Sequence, residues 1–171
     1  HALSENTTGS NNTGVGIYAL LMNTTGEQNT AVGANALDAN TTASNNTAVG
    51  YACLGSNTTG TANTAVGRTA LESNTTGSQN TAVGLGALDD NNANNNTAVG
   101  YLALNLNTTG TSLTAVGSVA LDANTTGNNN VAVGVSSLTD NTTGGSNVAV
   151  GDNSLANNTT ASQNTAFGHS A

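Results

Sequence analysis

The sequence predicts an all-β protein, a parallel β-solenoid built from about ten coils of 17 residues. A glycine after valine or phenylalanine recurs every 17 residues, with one step of 16 between Gly84 and Gly100. Leucine occupies one position of every repeat without exception. Runs such as Thr-Ala-Val lie between asparagine and glycine and have the length of short strands, about 3–5 residues. Helical repeats are excluded, because a helical unit takes about 33 residues or more.

Each repeat follows the pattern Gly-x-x-Ala-Leu-x-x-Asn-Thr-Thr-Gly-x-x-Asn-Thr-Ala-Val. We expect two strands per coil, Thr-Ala-Val and x-Ala-Leu, joined by two turns in which glycine and asparagine allow positive φ. Stacked coils place each strand about 4.8 Å from its copy, so ten coils form a rod roughly 48 Å long. Residues 1–171 therefore form a single repetitive domain. The 16-residue step lacks one residue within 89–93, where Asn-Thr-Thr-Gly is expected, and this indicates a surface turn.

Residues at one position of the repeat are called a column, and two apolar columns form the predicted core ladder. The asparagine column before Thr-Ala-Val is expected to add a ladder of side-chain amides that satisfies buried polar groups from coil to coil. The leucine column of the core ladder is Leu3, Leu20, Leu37, Leu54, Leu71, Leu88, Leu104, Leu121, Leu138 and Leu155. The valine column of the core ladder is Val32, Val49, Val66, Val83, Val99, Val116, Val133 and Val150.

The strand pattern predicts which way the side chains of the valine column point. Alternation along a strand places Thr30 and Val32 on one face and Ala31 on the other. Because the alanine column admits only small residues, it is expected to face the interior. The valines then form a long apolar stripe on the outside, which predicts cover by another chain or by a partner surface. The alternative is a corner of the coil that turns both side chains inward.

Composition excludes several classes of function. The net charge is −8, lysine is absent and Arg68 is the single cation, so the chain cannot neutralise nucleic-acid phosphates or an anionic membrane surface. No run approaches the roughly 18 apolar residues of a membrane span, so membrane insertion is not expected.

His1 and His169 lie at opposite ends of the rod and cannot share a metal, and Cys53 replaces alanine in a packed column. We expect no catalytic residues, no metal, no cofactor and no enzymatic activity.

The Asn-Thr-Thr turns match the N-x-[ST] acceptor pattern for N-linked glycans, on what is predicted to be a surface turn. Threonine hydroxyls beside them are equally open to O-linked sugars. The third interpretation is structural, because asparagine, threonine and glycine suit a tight turn without any modification. The nine candidate acceptors are Asn6, Asn23, Asn40, Asn57, Asn74, Asn107, Asn124, Asn141 and Asn158.

Asn-Thr-Ala-Val-Gly followed by x-x-Ala-Leu resembles the head repeats of trimeric autotransporter adhesins, which read Asn-Ser-Val-Ala-Ile-Gly-x-x-Ala-x-Ala. Similar runs occur in fibre proteins of phages and environmental microbes. The resemblance covers every repeat but rests on about five residues in each, and the Asn-Thr-Thr-Gly turn makes the present repeat longer. It implies a left-handed parallel β-roll that associates with copies of itself.

The expected function is structural. Both ends of the sequence fall inside the x-x-Ala-Leu segment without an atypical capping repeat, so we expect a segment of a longer array or a subunit that stacks end to end. The prediction is an extracellular, cell-surface or virion-surface fibre or adhesin stalk that contacts copies of itself end to end and laterally. Two alternatives are a viral tail-fibre shaft and an ice-binding solenoid, the latter because regular threonine and valine arrays resemble ice-binding faces.

Overall fold

The computed structural model describes residues 1–171 and is a parallel β-solenoid. Ten strands of three residues lie in one sheet in sequence order, and each pairs in parallel with the next. Equivalent residues are partners, so that Thr47, for example, pairs with Thr64. The strands are β1 (Thr13–Val15), β2 (Thr30–Val32), β3 (Thr47–Val49), β4 (Thr64–Val66), β5 (Thr81–Val83), β6 (Thr97–Val99), β7 (Thr114–Val116), β8 (Val131–Val133), β9 (Val148–Val150) and β10 (Thr165–Phe167). The fold class predicted from the sequence is confirmed.

Each coil contains one strand, not the two that the sequence predicted. The x-Ala-Leu segment is a turn in which every leucine of the column has a positive φ, between 48° and 55°. The residue two positions earlier is also left-handed, as at Asn35 with φ 57°. A left-handed conformation costs a residue with a side chain about 1–2 kcal/mol. Burial of the leucine side chain contributes about 1.5–3 kcal/mol and offsets that cost.

Coil-to-coil hydrogen bonding continues through these turns. The Leu37 N–H donates to the Cys53 carbonyl at 3.1 Å, and the Asn35 N–H donates to the Ile17 carbonyl at 2.9 Å. Of 105 backbone hydrogen bonds, 87 lie outside the strands. The turns therefore stack as regularly as the strands, which is why a coil with only three strand residues forms an ordered rod.

The interior is narrow and filled by small side chains and leucine. A cluster of 24 buried residues runs along the axis and holds the strand alanines together with the Ala-Leu pairs, in which cysteine or serine sometimes replaces the alanine. Within the leucine column, the residues from Leu20 to Leu138 are fully buried, while Leu3 and Leu155 in the end coils are partly buried. The leucine half of the core ladder is therefore placed where the sequence predicted it.

The valine half of the core ladder lies on the outside and needs correction. Val32 and Val66 are 36% and 38% exposed, whereas Ala31 between Thr30 and Val32 has no exposed surface. The pleat of the strand places threonine and valine on the same outward face. No corner of the coil turns both side chains inward, so in the single chain the valines line a surface and do not belong to the core.

Candidate functional surfaces

Two columns of asparagine run inside the rod and connect every coil to its neighbours. In the first, called here the Asn-Thr-Thr ladder, Asn40 Nδ2 donates to Asn23 Oδ1 at 2.8 Å and to the Ala43 carbonyl at 3.0 Å. The same pair of bonds recurs at Asn57 and Asn124. Each amide thus closes its own turn and binds the preceding coil, so a polar column stays satisfied inside an apolar rod.

The second column, the Asn-Thr-Ala ladder, precedes the strand. The Asn46 backbone N–H donates to Asn29 Oδ1 at 3.0 Å, and Asn46 Nδ2 donates to the Gly60 carbonyl of the next coil at 2.9 Å. Both ladders therefore meet at the Asn-Thr-Thr-Gly turn, one from its own coil and one from the coil before. The sequence predicted a ladder in the asparagine column before the strand, and the structure has one there, whereas the Asn-Thr-Thr ladder was not predicted.

The burial of the Asn-Thr-Thr ladder bears directly on glycosylation. Seven of its candidate acceptors have no exposed surface, and the amide nitrogen that would carry a sugar donates hydrogen bonds instead; Asn6 and Asn158 in the end coils are partly buried. The fully buried acceptors are Asn23, Asn40, Asn57, Asn74, Asn107, Asn124 and Asn141. The expectation that these asparagines stand on a surface turn is wrong, because the turn directs its asparagine inward and its threonines outward.

The two threonines of the turn differ from each other. The Thr24 hydroxyl donates to the Thr41 carbonyl at 3.1 Å, and the side chain is half-buried. The side chain of Thr25 is exposed, and its backbone N–H donates to the same carbonyl at 3.2 Å. On this corner the second threonine is therefore the position where a covalent sugar fits without breaking the ladder.

The 16-residue coil interrupts the Asn-Thr-Thr ladder. Asn91 takes the ladder position, donates to the Ala93 carbonyl at 2.9 Å and accepts from Asn107 Nδ2 at 2.7 Å. It makes no bond to Asn74, whose Oδ1 is the one buried side-chain polar atom without a partner. Asn92 Oδ1 replaces a missing backbone acceptor and receives both the N–H and the hydroxyl of Thr75 at 2.7 Å. The shortened turn exposes Asp90 and Asn92 but buries Asn91 and Ala93, so only part of it lies on the surface as predicted, and it leaves one ladder bond unmade.

Restoring the missing residue is expected to stabilise the rod. A threonine inserted between Asn92 and Ala93 gives Asn-Asn-Thr-Ala and returns the coil to the common length. Asn91 then reaches Asn74 Oδ1, and satisfying a buried acceptor is expected to raise the free energy of unfolding by about 1–3 kcal/mol. Urea denaturation measures the change. The control inserts the same threonine between Thr42 and Ala43, which makes a regular coil too long and is expected to lower stability. A loss of stability in both variants would contradict this account of the short coil.

Beside the short coil, three carboxylates crowd one another. Burial first, and then the charges of Glu72 and Asp90, raise the pKa of Asp89 to about 6. The folded chain therefore binds a proton at Asp89 at a higher pH than the unfolded chain does. For this group, stability is lowest above pH 6 and rises as the pH falls from about 6 towards 4.

The substitution Asp89→Asn is expected to stabilise the rod at pH 7 and to remove this pH dependence. Urea midpoints of the parent chain and the variant between pH 4 and 8 provide the measurement, and the gap between them is expected to close as Asp89 becomes protonated. Glu72→Gln, which removes a neighbouring charge, is expected to give a smaller effect of the same sign. A gap that stays constant over the whole pH range would show that Asp89 ionises in the folded chain as it does in the unfolded one.

The remaining reactive side chains are isolated. Cys53 is fully buried, and burial raises the pKa of its thiol to about 12, so the thiolate is disfavoured at neutral pH. His169 Nδ1 lies 3.2 Å from Asp152 Oδ2 on an exposed edge of the last coil. No group of three or more histidine, cysteine or acidic side chains is arranged to hold a metal ion.

The outward face of the sheet is the most regular surface. The side chains that β1–β10 direct outward, called here the Thr–Val face, form one column of mostly threonine and one of valine that ends in Phe167. Their exposure is nearly constant from β2 to β6, with Val32, Val49, Val66, Val83 and Val99 between 36% and 38% exposed. Because the sheet repeats at every coil, any partner of this face meets the same side chains at roughly 4.8 Å intervals.

Comparisons of the chain with protein-family models, curated proteins and solved structures find no match. The chain contains no helix with the length and apolar character needed to cross a membrane.

Proposed function

We propose that the chain is a structural rod, a shaft segment of an extracellular or surface-exposed fibre such as an adhesin stalk or a virion fibre. The main support for this proposal is that the same interior contacts repeat from each coil to the next. Nine strand pairs keep equivalent residues opposite each other, and two amide ladders run with them along the axis. Such a stack has no intrinsic length limit, because each coil presents to the next the surface that it receives from the one before.

The resemblance to adhesin head repeats supports the same function, since those repeats also form parallel rolls. Exposed threonines at the Asn-Thr-Thr corner support a decorated shaft, with O-linked sugars as the modification that suits the geometry. Because each chain has a net charge of −8, such rods repel one another in solution except where apolar surfaces meet.

Electron microscopy of the native material, before any denaturing step, tests the fibre function. We expect long filaments of uniform width, with density projecting in rows if the exposed threonines carry sugars. Discrete particles of the length of ten coils, with no tendency to elongate, would contradict the shaft function.

A second candidate function is ice binding, favoured by the regularity of the Thr–Val face. Threonine or valine is directed outward at two positions of nearly every coil, as on regular solenoid faces that order water. Thermal hysteresis of the dilute chain, measured beside the variant Thr81→Lys, tests this function. Hysteresis that the substitution abolishes would support ice binding, and its absence would exclude it.

A further inference from the structure

Apolar side chains continue beyond the Thr–Val face into the next exposed column. The residue after each column glycine is large and apolar in half of the coils, with exposures of 43–63%. These residues are Ile17, Tyr51, Leu85, Tyr101 and Val135. Together with the valines, which precede the bend at the column glycine, they form an apolar stripe along one edge of the rod. An exposed apolar stripe of this extent indicates a protein contact surface.

Most charged residues lie away from this stripe, so a second chain can cover it without bringing like charges together. None of the ten strands contains a charged residue. Seven of the nine acidic residues instead lie one or two positions after a column leucine, on a different edge of the coil: Glu5, Asp38, Glu72, Asp89, Asp90, Asp122 and Asp140. Two chains of net charge −8 can therefore bring their strand faces together while most of their carboxylates stay away from the contact.

The size of the stripe matches a pairwise contact. Ten coils extend roughly 48 Å, and three to four residues across the coil cover roughly 10–13 Å. The contact then buries roughly 500–600 Å² on each chain, near the lower limit of about 1,000 Å² in total for a specific interface. The partner must also repeat every 4.8 Å or so if its side chains are to mesh with the valines along the whole length. A second copy of this chain meets that requirement.

We propose that two copies of the chain associate laterally through the Thr–Val face and the column that follows it, in an antiparallel dimer with its two-fold axis between β5 and β6. Two arrangements satisfy two-fold symmetry on a face with two columns. A parallel pair, with the axis along the rod, places each valine column against a threonine column. An antiparallel pair, with the axis across the rod, places valine against valine and threonine against threonine. It also brings together the columns that follow the glycine in the two copies, which a parallel pair does not, and so it buries more apolar surface.

The column after the glycine matches this antiparallel arrangement. With the axis between β5 and β6, Leu85 of one copy meets Tyr101 of the other, and Tyr51 meets Val135. Arg68, which lies 5.8 Å from the Tyr51 ring centre, meets Ser118 and not another charge. Four of the five large side chains thus meet a large side chain of the other copy, while Ile17 meets His169, and no two like charges face each other.

Equilibrium sedimentation of the purified chain, combined with small-angle scattering, tests the dimer directly. We expect two chain masses for every rod length of roughly 48 Å, either as a single dimer or, where the ends also stack, as a longer particle of the same mass per unit length. Added salt is expected to strengthen the association, because it screens the repulsion between the two net charges.

A charge pair tests the antiparallel arrangement. In the proposed dimer Val49 in β3 faces Val133 in β8 of the other copy, and within one chain the two are five strands apart. The single variants Val49→Lys and Val133→Asp are each expected to weaken the dimer about tenfold or more. The double variant is expected to recover most of that loss, since each introduced lysine then meets an introduced aspartate of the other copy. Thr59→Lys and Thr126→Asp carry the same charges on the exposed corner and are expected to leave the dimer unchanged.

Several outcomes would overturn the proposal: a monomer at all concentrations, single variants that dimerise like the parent chain, or a double variant no better than either single one. A monomer with thermal hysteresis would assign the face to ice instead. The proposed dimer depends on the proposed structural function only because it uses the surface of the rod. Its failure is distinguishable from failure of the fibre, because end-to-end stacking gives open-ended particles that lengthen with concentration and lateral pairing gives a closed dimer.

Discussion

Leu71→Asp is expected to lower the free energy of unfolding by roughly 4 kcal/mol or more, because it places a carboxylate in the centre of a dry column. Leu71 has no exposed surface and lies between the equally buried Leu54 and Leu88. The interior offers no cation to pair with the new charge, since Arg68 is the single cation of the chain and is exposed. Urea denaturation followed by circular dichroism measures the loss.

The matched control is Leu106→Asp, the same substitution at a leucine that is 46% exposed. We expect a change within about 1 kcal/mol there, as is usual for surface positions. If Leu71→Asp does not fold, Leu71→Ala provides a graded measurement with an expected loss of about 2–5 kcal/mol. Equal and small effects at Leu71 and Leu106 would show that the leucine column is not the core.

Gly67→Ala is expected to be the most damaging of the conservative substitutions, with a loss of roughly 3 kcal/mol or more. Gly67 has φ +140°, which residues with a side chain rarely adopt, and a Cβ at this position would collide with the Gly84 carbonyl of the next coil. Glycine fills this column in every coil. The strand cannot turn the corner there with any other residue unless neighbouring coils separate. Thermal and urea unfolding both report the loss.

Gly60→Ala is the control. Gly60 closes the Asn-Thr-Thr turn, and the equivalent positions hold Ala43 and Ala161. A Cβ there would also collide with the carbonyl of the next coil, that of Gly77, but the φ of Gly60 lies outside the left-handed region, and the alanines in this column show that the turn can adjust to a Cβ. We expect a clearly smaller loss than at Gly67. A Gly67→Ala variant as stable as Gly60→Ala would show that the bend after the strand has room for a Cβ.

Periodicity predicted the architecture well because stacking imposes the same environment on every residue of a column. Ten leucines in register identify a buried ladder, and an alanine column restricted to small residues identifies the inward side of the strand. Strand alternation then directs Thr30 and Val32 outward. These inferences need only the repeat length and the pleat of a strand, and the structure confirms them.

Local backbone geometry was less predictable. Leucine is not a residue from which a left-handed φ is expected, so the x-Ala-Leu segment reads as a second strand. The structure makes it a turn, because burial of the leucine and hydrogen bonds to both neighbouring coils offset the local strain. Tertiary contacts decide this conformation, and no pattern within a single repeat reveals it.

The direction of the Asn-Thr-Thr asparagines was also missed. The Asn-Thr-Thr-Gly sequence fits both a tight turn and a glycosylation acceptor, and both interpretations place the asparagine on the surface. One signal in the sequence points the other way. The asparagine is present in every coil, including Asn91 in the shortened one, while its neighbours vary there to Asn92 and Ala93. A residue kept while the turn around it changes is more consistent with a ladder than with a surface acceptor.

Fibre diffraction from an oriented, dried film of the rods shows whether in-register coils stack along one axis. We expect a strong reflection near 4.8 Å along the rod axis, because the strands run across the rod and repeat at each coil. A reflection of that spacing perpendicular to the axis, or none at all, would contradict a stack of parallel coils.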